Sequence, residues 1–354
     1  MNHLLARSIL ALFLGLLTFS ASAQELEPEP LGTISVSDLL LAPRFTYSEP
    51  SRGHFQPGDS YIAVRWKRDE VLSAQVMLGT QSLINIPNRY TQINGDTVNV
   101  IEAYGQGDGS FGRFRAGLIP IPFGSEGGIA EGRLRFPRSL IFEKGMIGLR
   151  DHGVSYSISH ERFGSEWAIH NGESGRDLDN KIWYTGRWGY TIPGKMRFGF
   201  SGQTGRTTPA STDPLGSYAG GSPADAVMDL TKSAKFRTGN AFVNIDTRQF
   251  GLTFEGTVGD VIQDAKRRFT AGHADIYIPV TPKIATLARY DFFDPKRGEV
   301  NHTQNLTAGI SYRTGQDTSE IYIFGTQELK PEPTSDVHRF MVMWKLTPQI
   351  YDRR

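Results

Sequence analysis

The sequence predicts an all-β chain, a sixteen-stranded antiparallel transmembrane β-barrel with short periplasmic turns, long outer loops and an inward-folded third loop. Three observations predict it. After about residue 43, apolar and polar residues alternate with period two, the pattern of a strand with two unlike faces. The connections between these stretches are short and long by turns, as in a barrel crossing a bacterial outer membrane. The chain opens with an export signal and afterwards holds no apolar run long enough for a membrane helix.

In that signal, Arg7 precedes the apolar run Ile9 to Leu17, and Ala21-Ser22-Ala23 forms an A-x-A cleavage site. Residues 1–23 therefore read as a secretory signal peptide, 24–42 as a periplasmic N-terminal arm, 43–346 as the barrel and 347–354 as a periplasmic tail. Within the arm, the acidic, Pro-rich stretch Glu25 to Pro30 reads as a disordered spacer. With no cysteine there is no disulfide, thiolate metal site or cysteine nucleophile. Cleavage removes Arg7 and leaves balanced charge with no basic tail or stripe, which argues against nucleic acid as a partner. Mean hydropathy is negative, as a barrel allows when only alternate strand residues meet lipid.

The strands follow in order. The first, 43–49, is short; 60–68 and 72–79 meet at Arg68-Asp69-Glu70-Val71. In 97–105 Glu102 leaves the phase open, and Gln106 to Ser110 turns it into 112–119, where Phe114, Ala116 and Leu118 alternate with Arg113, Arg115 and Gly117. Strand 151–159 sets Val154, Tyr156 and Ile158 against Ser155, Ser157 and Ser159, and His160-Glu161-Arg162 returns the chain as 163–170. Strands 181–190 and 195–203 meet at Thr191 to Gly194, the second alternating Met196, Phe198 and Phe200 with Arg197, Gly199 and Ser201. Strands 236–246 and 249–258 meet around Thr247, with Phe250, Leu252 and Phe254 opposed to Gly251, Thr253 and Glu255. Strands 267–278 and 283–292 meet at Pro279 to Pro282. Strand 303–313, with Leu306, Ala308, Ile310 and Tyr312 on one face, meets 318–327 at Thr314 to Asp317. The last, 335–346, carries Phe340, Val342 and Trp344.

The intervening connections, 50–59, 80–96, 120–150, 171–180, 204–235, 259–266, 293–302 and 328–334, are generally longer and more polar. An even strand count places both termini on the periplasmic side. Trp66, Tyr104, Trp167, Tyr190, Tyr290, Phe292 and Trp344 near strand ends read either as interfacial girdles or as ordinary strand packing.

Sixteen strands enclose an aqueous channel, so strand number carries functional meaning. The 120–150 connection holds Leu140, Ile141, Phe142, Met146, Ile147 and Leu149, too apolar for a solvated loop, and is expected to fold inward and narrow the bore. Packing over the mouth or onto a neighbouring subunit is the alternative. The strand phase points Arg65, Lys67, Arg113, Arg115, Arg187, Arg197, Arg289 and Arg313 inward, and the loop adds Arg133, Arg135 and Arg138. Against them stand Glu166, Glu255, Asp275 and Asp291. Guanidinium donates paired hydrogen bonds to phosphate or carboxylate, so these basic residues are the expected pore-lining, anion-binding set. The expected function is passive diffusion of small hydrophilic solutes with a mild anion preference; a mixed field of cancelling charges is the competing picture.

Two other classes remain. One is a structural or surface-interaction barrel with a blocked lumen. The other is an outer-membrane hydrolase, for which His160, His170 and Ser155, Ser157 and Ser159 are the available groups, without a G-x-S-x-G elbow. No cofactor is expected: Gly105 to Gly109 lacks nucleotide-loop spacing, and the eight histidines show no metal-ligand pattern.

Residues 112–154 resemble the phosphate-selective porin O and P family. The similar elements are Gly112-Arg113-Phe114-Arg115-Ala116-Gly117 leading to Pro122-Phe123-Gly124, then Arg138-Ser139-Leu140, then Arg150-Asp151-His152-Gly153-Val154. Ala288 to Pro295 resembles that family's late strand and loop. The resemblance implies a homotrimeric sixteen-stranded channel in outer-membrane lipid, narrowed by its third loop and taking phosphate-like anions. The chain departs from that family in lacking a full arginine ladder and lysine-rich outer loops, and in ending Gln349 to Arg354 without a terminal aromatic.

Overall fold

A computed structural model describes residues 32–48, 53–80, 98–129, 131–143, 147–172, 181–207, 232–295, 302–314, 318–329 and 338–347. The expected signal peptide, residues 24–31 of the arm, Met146, most of the other long loops and the tail from 348 lie outside the described residues.

Among the described residues, eighteen strands form one sheet. They are β1 (Thr33–Leu40), β2 (Arg44–Ser48), β3 (His54–Gln56), β4 (Tyr61–Lys67), β5 (Leu72–Thr80), β6 (Val98–Gly109), β7 (Gly112–Pro120), β8 (Arg150–His160) and β9 (Phe163–His170). Then come β10 (Trp183–Ile192), β11 (Met196–Thr207), β12 (Ala234–Asp246), β13 (Gly251–Ile262), β14 (Lys266–Pro279), β15 (Ile284–Asp294), β16 (Thr303–Arg313), β17 (Ser319–Leu329) and β18 (His338–Leu346). The only α-helical segment among the described residues is α1 (Leu140–Glu143).

From β4 to β18 every strand pairs antiparallel with the next. β18 pairs with β2, a Leu41–Leu346 bridge extends that contact, and β1 pairs with β4. Each of β4 to β18 thus has a neighbour on both sides. β4 to β18 match the expected strands, with ends displaced by at most four residues.

Three elements differ from expectation, one of them β3, which lies within the expected 50–59 connection. Thr33–Leu40, within the segment read as an arm, is strand β1, held to β4 where the Ser37 hydroxyl donates to the Ala63 carbonyl at 3.3 Å. The 259–266 connection shrinks to Gln263–Ala265, because β13 and β14 continue as a ladder to Ile262 and Lys266.

The short turns are built from local side chains. Asp69 accepts the Val71 and Leu72 amides at 2.7 Å each, and those amides hold its carboxyl below the usual range. Thr247 and Thr281 do the same job with a hydroxyl, accepting from Phe250 at 3.1 Å and from Ile284 at 2.9 Å. In the two-residue turn after β8, Glu161 adopts φ 48°.

The ladder between β5 and β6 slips at Met77/Leu78, so Glu102 faces Met77 and Val100 faces Leu78, leaving Ile101 as the extra residue of a bulge. Both Ile101 and Glu102 are buried. This slip is the physical reason the phase at Glu102 was ambiguous. It also turns Tyr104 onto the buried face, so Tyr104 belongs to no exposed girdle, whereas Trp167, Tyr290 and Trp344 are exposed.

The two faces are inverted relative to a water-soluble sheet. The buried face carries Gln75, Glu102, Gln203, Asn240, Glu255, Asp275, Arg289, Asp291 and Asn305. The exposed face carries Phe198, Phe200, Phe254, Val258, Ile276, Leu306, Ile310 and Phe340. Burying such polar groups is costly unless each is paired, so what covers that face matters.

Glycine at 117 is a structural requirement: at φ +134°, an added Cβ would lie 2.2 Å from the Ala103 carbonyl oxygen, whereas one at Gly107 meets nothing within 4 Å. Gly117→Ala is expected to destabilise the detergent-folded protein by more than about 1 kcal/mol, and Gly107→Ala by less than about 0.5 kcal/mol. Urea unfolding of both variants checks this, and equal losses would contradict it.

Candidate functional site

The buried face is covered by the connection from β7 to β8. Pro120 ends β7, and Gly124, at φ +60°, bends the chain over the sheet so closely that a Cβ there would sit 2.2 Å from a Glu255 carboxylate oxygen. From there the loop is fastened strand by strand. The Gly124 amide donates to the Ser201 hydroxyl at 2.9 Å, and the Ser125 amide donates to Glu255 at 2.9 Å. Asn240 steadies Glu255 from beneath at 2.7 Å. Arg187 donates to the Gly127 carbonyl at 3.1 Å, and the Leu140 amide to Asp291 at 2.7 Å.

The centre of this attachment is Arg289 on β15. Its guanidinium reaches Glu126 of the loop at 2.8 Å and both Asp275 oxygens at 2.6 and 2.7 Å. Glu126 also accepts the Ser139 amide at 3.0 Å and hydroxyl at 2.9 Å, while Arg138 donates to the Glu126 carbonyl at 3.2 Å. Burial pushes the Glu126 carboxyl toward its neutral form. The Arg289 guanidinium, helped by His273, Arg138 and the Ser139 amide, outweighs that and holds its pKa at about 2. Removing one partner of so buried a pair costs about 3–5 kcal/mol.

Apolar side chains complete the seat. Phe123, Leu140, Ile141, Phe142, Ile147 and Leu149 pack with Trp183, Phe236, Phe269 and Phe293. Phe136 joins a second cluster with Leu40, Tyr61, Met77, Leu287 and Phe324. The loop tip reaches β1 and β4, where Arg133 pairs with Asp38 and donates to the Tyr61 hydroxyl at 3.0 Å. Lys345 on β18 donates to the Leu134 carbonyl.

The sequence-predicted basic residues fall into two groups. Arg289, Arg138, Arg133 and Arg135 are fasteners; Arg135 pairs with Asp246 at 2.9 Å and lies over the Tyr277 ring. Arg187 belongs to both, holding the Gly124 and Gly127 carbonyls of the loop as well as Glu166, and the others lie on the part of the buried face that the loop leaves open. Arg65 donates to Gln75 at 2.8 Å and Arg115 to Gln106 at 2.9 Å. Glu166 pairs with Arg187 at 3.0 Å and approaches Arg115 at 3.9 Å. Arg187, Arg197, Glu166, Ser157 and Thr191 line a cavity of about 220 Å³. Arg197 sits over the Phe242 ring at 5.3 Å. Nearer the short turns, Arg113 pairs with Asp108 at 2.6 Å and Lys67 with Glu70 at 2.9 Å. Arg313 is half-buried at the end of β16, opposite Glu320.

Sequence reasoning missed Glu126, Asp38 and Arg150. Arg150, buried against Glu102 at 2.9 Å, sits in the Arg-Asp-His stretch already singled out, but its partner lies 48 residues away. Nothing local marks Glu126 or Asp38 as an anchor.

A hydroxyl–imidazole–carboxylate series does exist. His170 Nδ1 lies 2.7 Å from Asp151, and Nε2 lies 2.9 Å from the Thr185 hydroxyl. The order is that of a nucleophile triad, yet Asp151, His170 and Thr185 are 0%, 3% and 2% exposed. They tie the ends of β8, β9 and β10 together and offer no hydroxyl to a substrate. His160 sits at the opposite end of that hairpin from His170.

Because the folded pKa of Glu126 lies below its ordinary value of 4.5, its stabilisation is complete above that pH and is lost as pH falls toward 2. Hydrogen-exchange protection of the Ser139 amide, corrected for intrinsic rate, is expected to hold from neutral pH down to the ordinary carboxylate range and to fall below it. Glu126→Gln should abolish that dependence. Protection unchanged down to pH 2 in the unsubstituted protein would contradict the assignment.

No known family's sequence pattern matches the chain, and no curated protein matches it by sequence. By structure it is similar to the anion-selective porin from Comamonas acidovorans, at 10% identity and TM-score 0.65, over 90% of this chain and 100% of that one. It is also similar to OmpT, an outer membrane protein of Vibrio cholerae, in its trimer form, at 12% identity and TM-score 0.64, over 90% and 100%. The outer membrane channel DcaP of Acinetobacter baumannii matches at 6% identity and TM-score 0.64, over 92% and 100%. At these identities the likeness is one of fold: the chain has the all-β antiparallel architecture of outer-membrane porins.

Proposed function

We propose that the chain is an outer-membrane porin for passive diffusion of small hydrophilic solutes. In this reading the sheet closes as a sixteen-stranded barrel, with β1 and β2 acting as one strand between β18 and β4. The observation that carries it is the inverted sheet: polar residues on the buried face, apolar residues on the exposed face, and a hydrogen-bonded neighbour on each side of every strand from β4 to β18. In hydrocarbon, backbone groups must pair within the protein, and a closed barrel meets that demand.

The third loop narrows the interior, and the water path follows the wall it leaves open, past Arg65, Arg115, Arg187 and Arg197. Glu166 is shared between Arg115 and Arg187, so the path is basic on balance and the expected selectivity is a mild anion preference. The resemblance of residues 112–154 to phosphate-selective porins supports this direction. We further propose export through the signal at residues 1–23 and assembly as a homotrimer, the form recorded for the Vibrio cholerae protein of similar fold.

A second reading has its own support: the two apolar clusters under the loop fill much of the buried face, as a sealed structural barrel would require. Planar-bilayer recording separates them. A porin gives stable unitary steps, and repeated insertion without current would reject it. In a salt gradient, Arg197→Ala should lower the anion-to-cation permeability ratio by about twofold. Arg135→Ala, whose guanidinium is held by Asp246, should leave the ratio unchanged.

A further inference from the structure

On the exposed face, the ends of β11 to β14 nearest the long connections carry a cluster that diffusion through a pore does not use. Arg206, Lys235, Arg237, Lys266 and Arg268 are all exposed. They occupy adjacent rungs of the ladder. Arg206 faces Lys235 across one pair of strands, and Arg237 and Arg268 lie on either side of Asp260. Asp260 pairs with Lys266 at 2.9 Å and with Arg268 at 3.1 Å. Arg206, Lys235 and Arg237 have no carboxylate partner among the described residues. Asp294, beside Thr270, borders the cluster on β15. At the same end of β10, Tyr184 and, just before the strand, Ile182 are exposed.

Directly below, toward the middle of the strands, the exposed face loses its side chains. Gly202 faces Gly239 and Ala241 faces Gly256, while Gly272, opposite Gly256, is buried beneath the Phe292 ring and ends the strip. A Cβ at Gly239 or Gly256 would meet nothing within 4 Å, so both open outward. Exposed Phe200 on β11 and Phe254 and Val258 on β13 stand beside this strip. Gly239 lies two residues below Arg237, about 7 Å along the strand. A phosphate held at the basic cluster therefore places an attached acyl chain in the trough.

We propose that this face binds one phosphorylated glycolipid of the outer leaflet, its phosphates on Arg206, Lys235 and Arg237 and one acyl chain along the glycine trough. Charge selects the occupant: three cations without carboxylate partners sit above an apolar trough on a face that, in the porin reading on which this rests, meets lipid. Arginine forks match phosphate oxygens in pairs, and each basic group at a membrane surface strengthens binding to anionic lipid.

The test uses the full chain folded in detergent, with bisphosphorylated lipid A, its monophosphoryl form and a zwitterionic phospholipid as probes. Native mass spectrometry is expected to show one retained bisphosphorylated lipid A per chain, bound about tenfold more tightly than the monophosphoryl form. Arg206→Gln with Arg237→Gln should weaken it by about tenfold or more, and Gly239→Phe, which fills the trough while keeping the charges, should weaken it as well. Equal retention of all three lipids, or unchanged binding in both variants, overturns the proposal. So does loss of an oligomer in the variants with lipid retention unchanged, which would make this face an interface between copies. Bilayer conductance of the same variants keeps the two readings apart. Steps with no selective lipid binding sink only this inference, whereas silent insertion sinks the porin reading on which it rests.

Discussion

In the proposed porin the structure depends on one constraint: a backbone N–H or C=O that faces hydrocarbon has no water to pair with and must find its partner in the protein. A sheet closed as proposed satisfies it for every strand, and side-chain alternation then decides which face meets which medium. Once Phe254 and Val258 face out, Glu255 and Thr257 face in. A one-residue slip would exchange them, so register is as firmly set as composition. The bulge at Ile101 is the place where the ladder slips by one residue, and the buried Tyr104 below it is the consequence.

An interior so lined is a problem as well as a resource. Glu126, Arg289, Asp275 and Arg138 are each nearly withdrawn from solvent, and only mutual pairing makes that tolerable. The third loop supplies half of those partners, so its docking and the neutralisation of the wall are one event. This separates the arginines by role. Those that hold the loop have spent their hydrogen bonds on carboxylates and carbonyls; Arg187, tied to Gly127 and Glu166, does both jobs, and Arg197 on the open wall lines the cavity. In the proposed channel only the second group acts on a passing ion.

Much of the fold was legible because period-two alternation is a local signal, repeated strand after strand, and the tight turns carry local side-chain caps such as Asp69 and Thr281. The packing of the β7–β8 connection on the buried face of the sheet was legible from Leu140, Ile141 and Phe142, which solvent would not tolerate. β1 was missed because it follows a Pro-rich acidic stretch and its role depends on pairing with β4. The division among the arginines was not legible either. Arg289 and Glu126 are 163 residues apart, and alternation says which face a residue takes but not which partner waits there.

The chain has no cysteine, so single cysteines can be introduced along β16 without background. The most direct measurement attaches an environment-sensitive fluorophore in turn at residues 306, 307, 308, 310 and 311 of the bilayer-inserted protein and quenches it from brominated lipid tails. The account predicts strong quenching at Leu306, Ala308 and Ile310 and little at Thr307 and Ser311. Quenching without that alternation, or ready labelling of 306, 308 and 310 by a membrane-impermeant reagent, would contradict it.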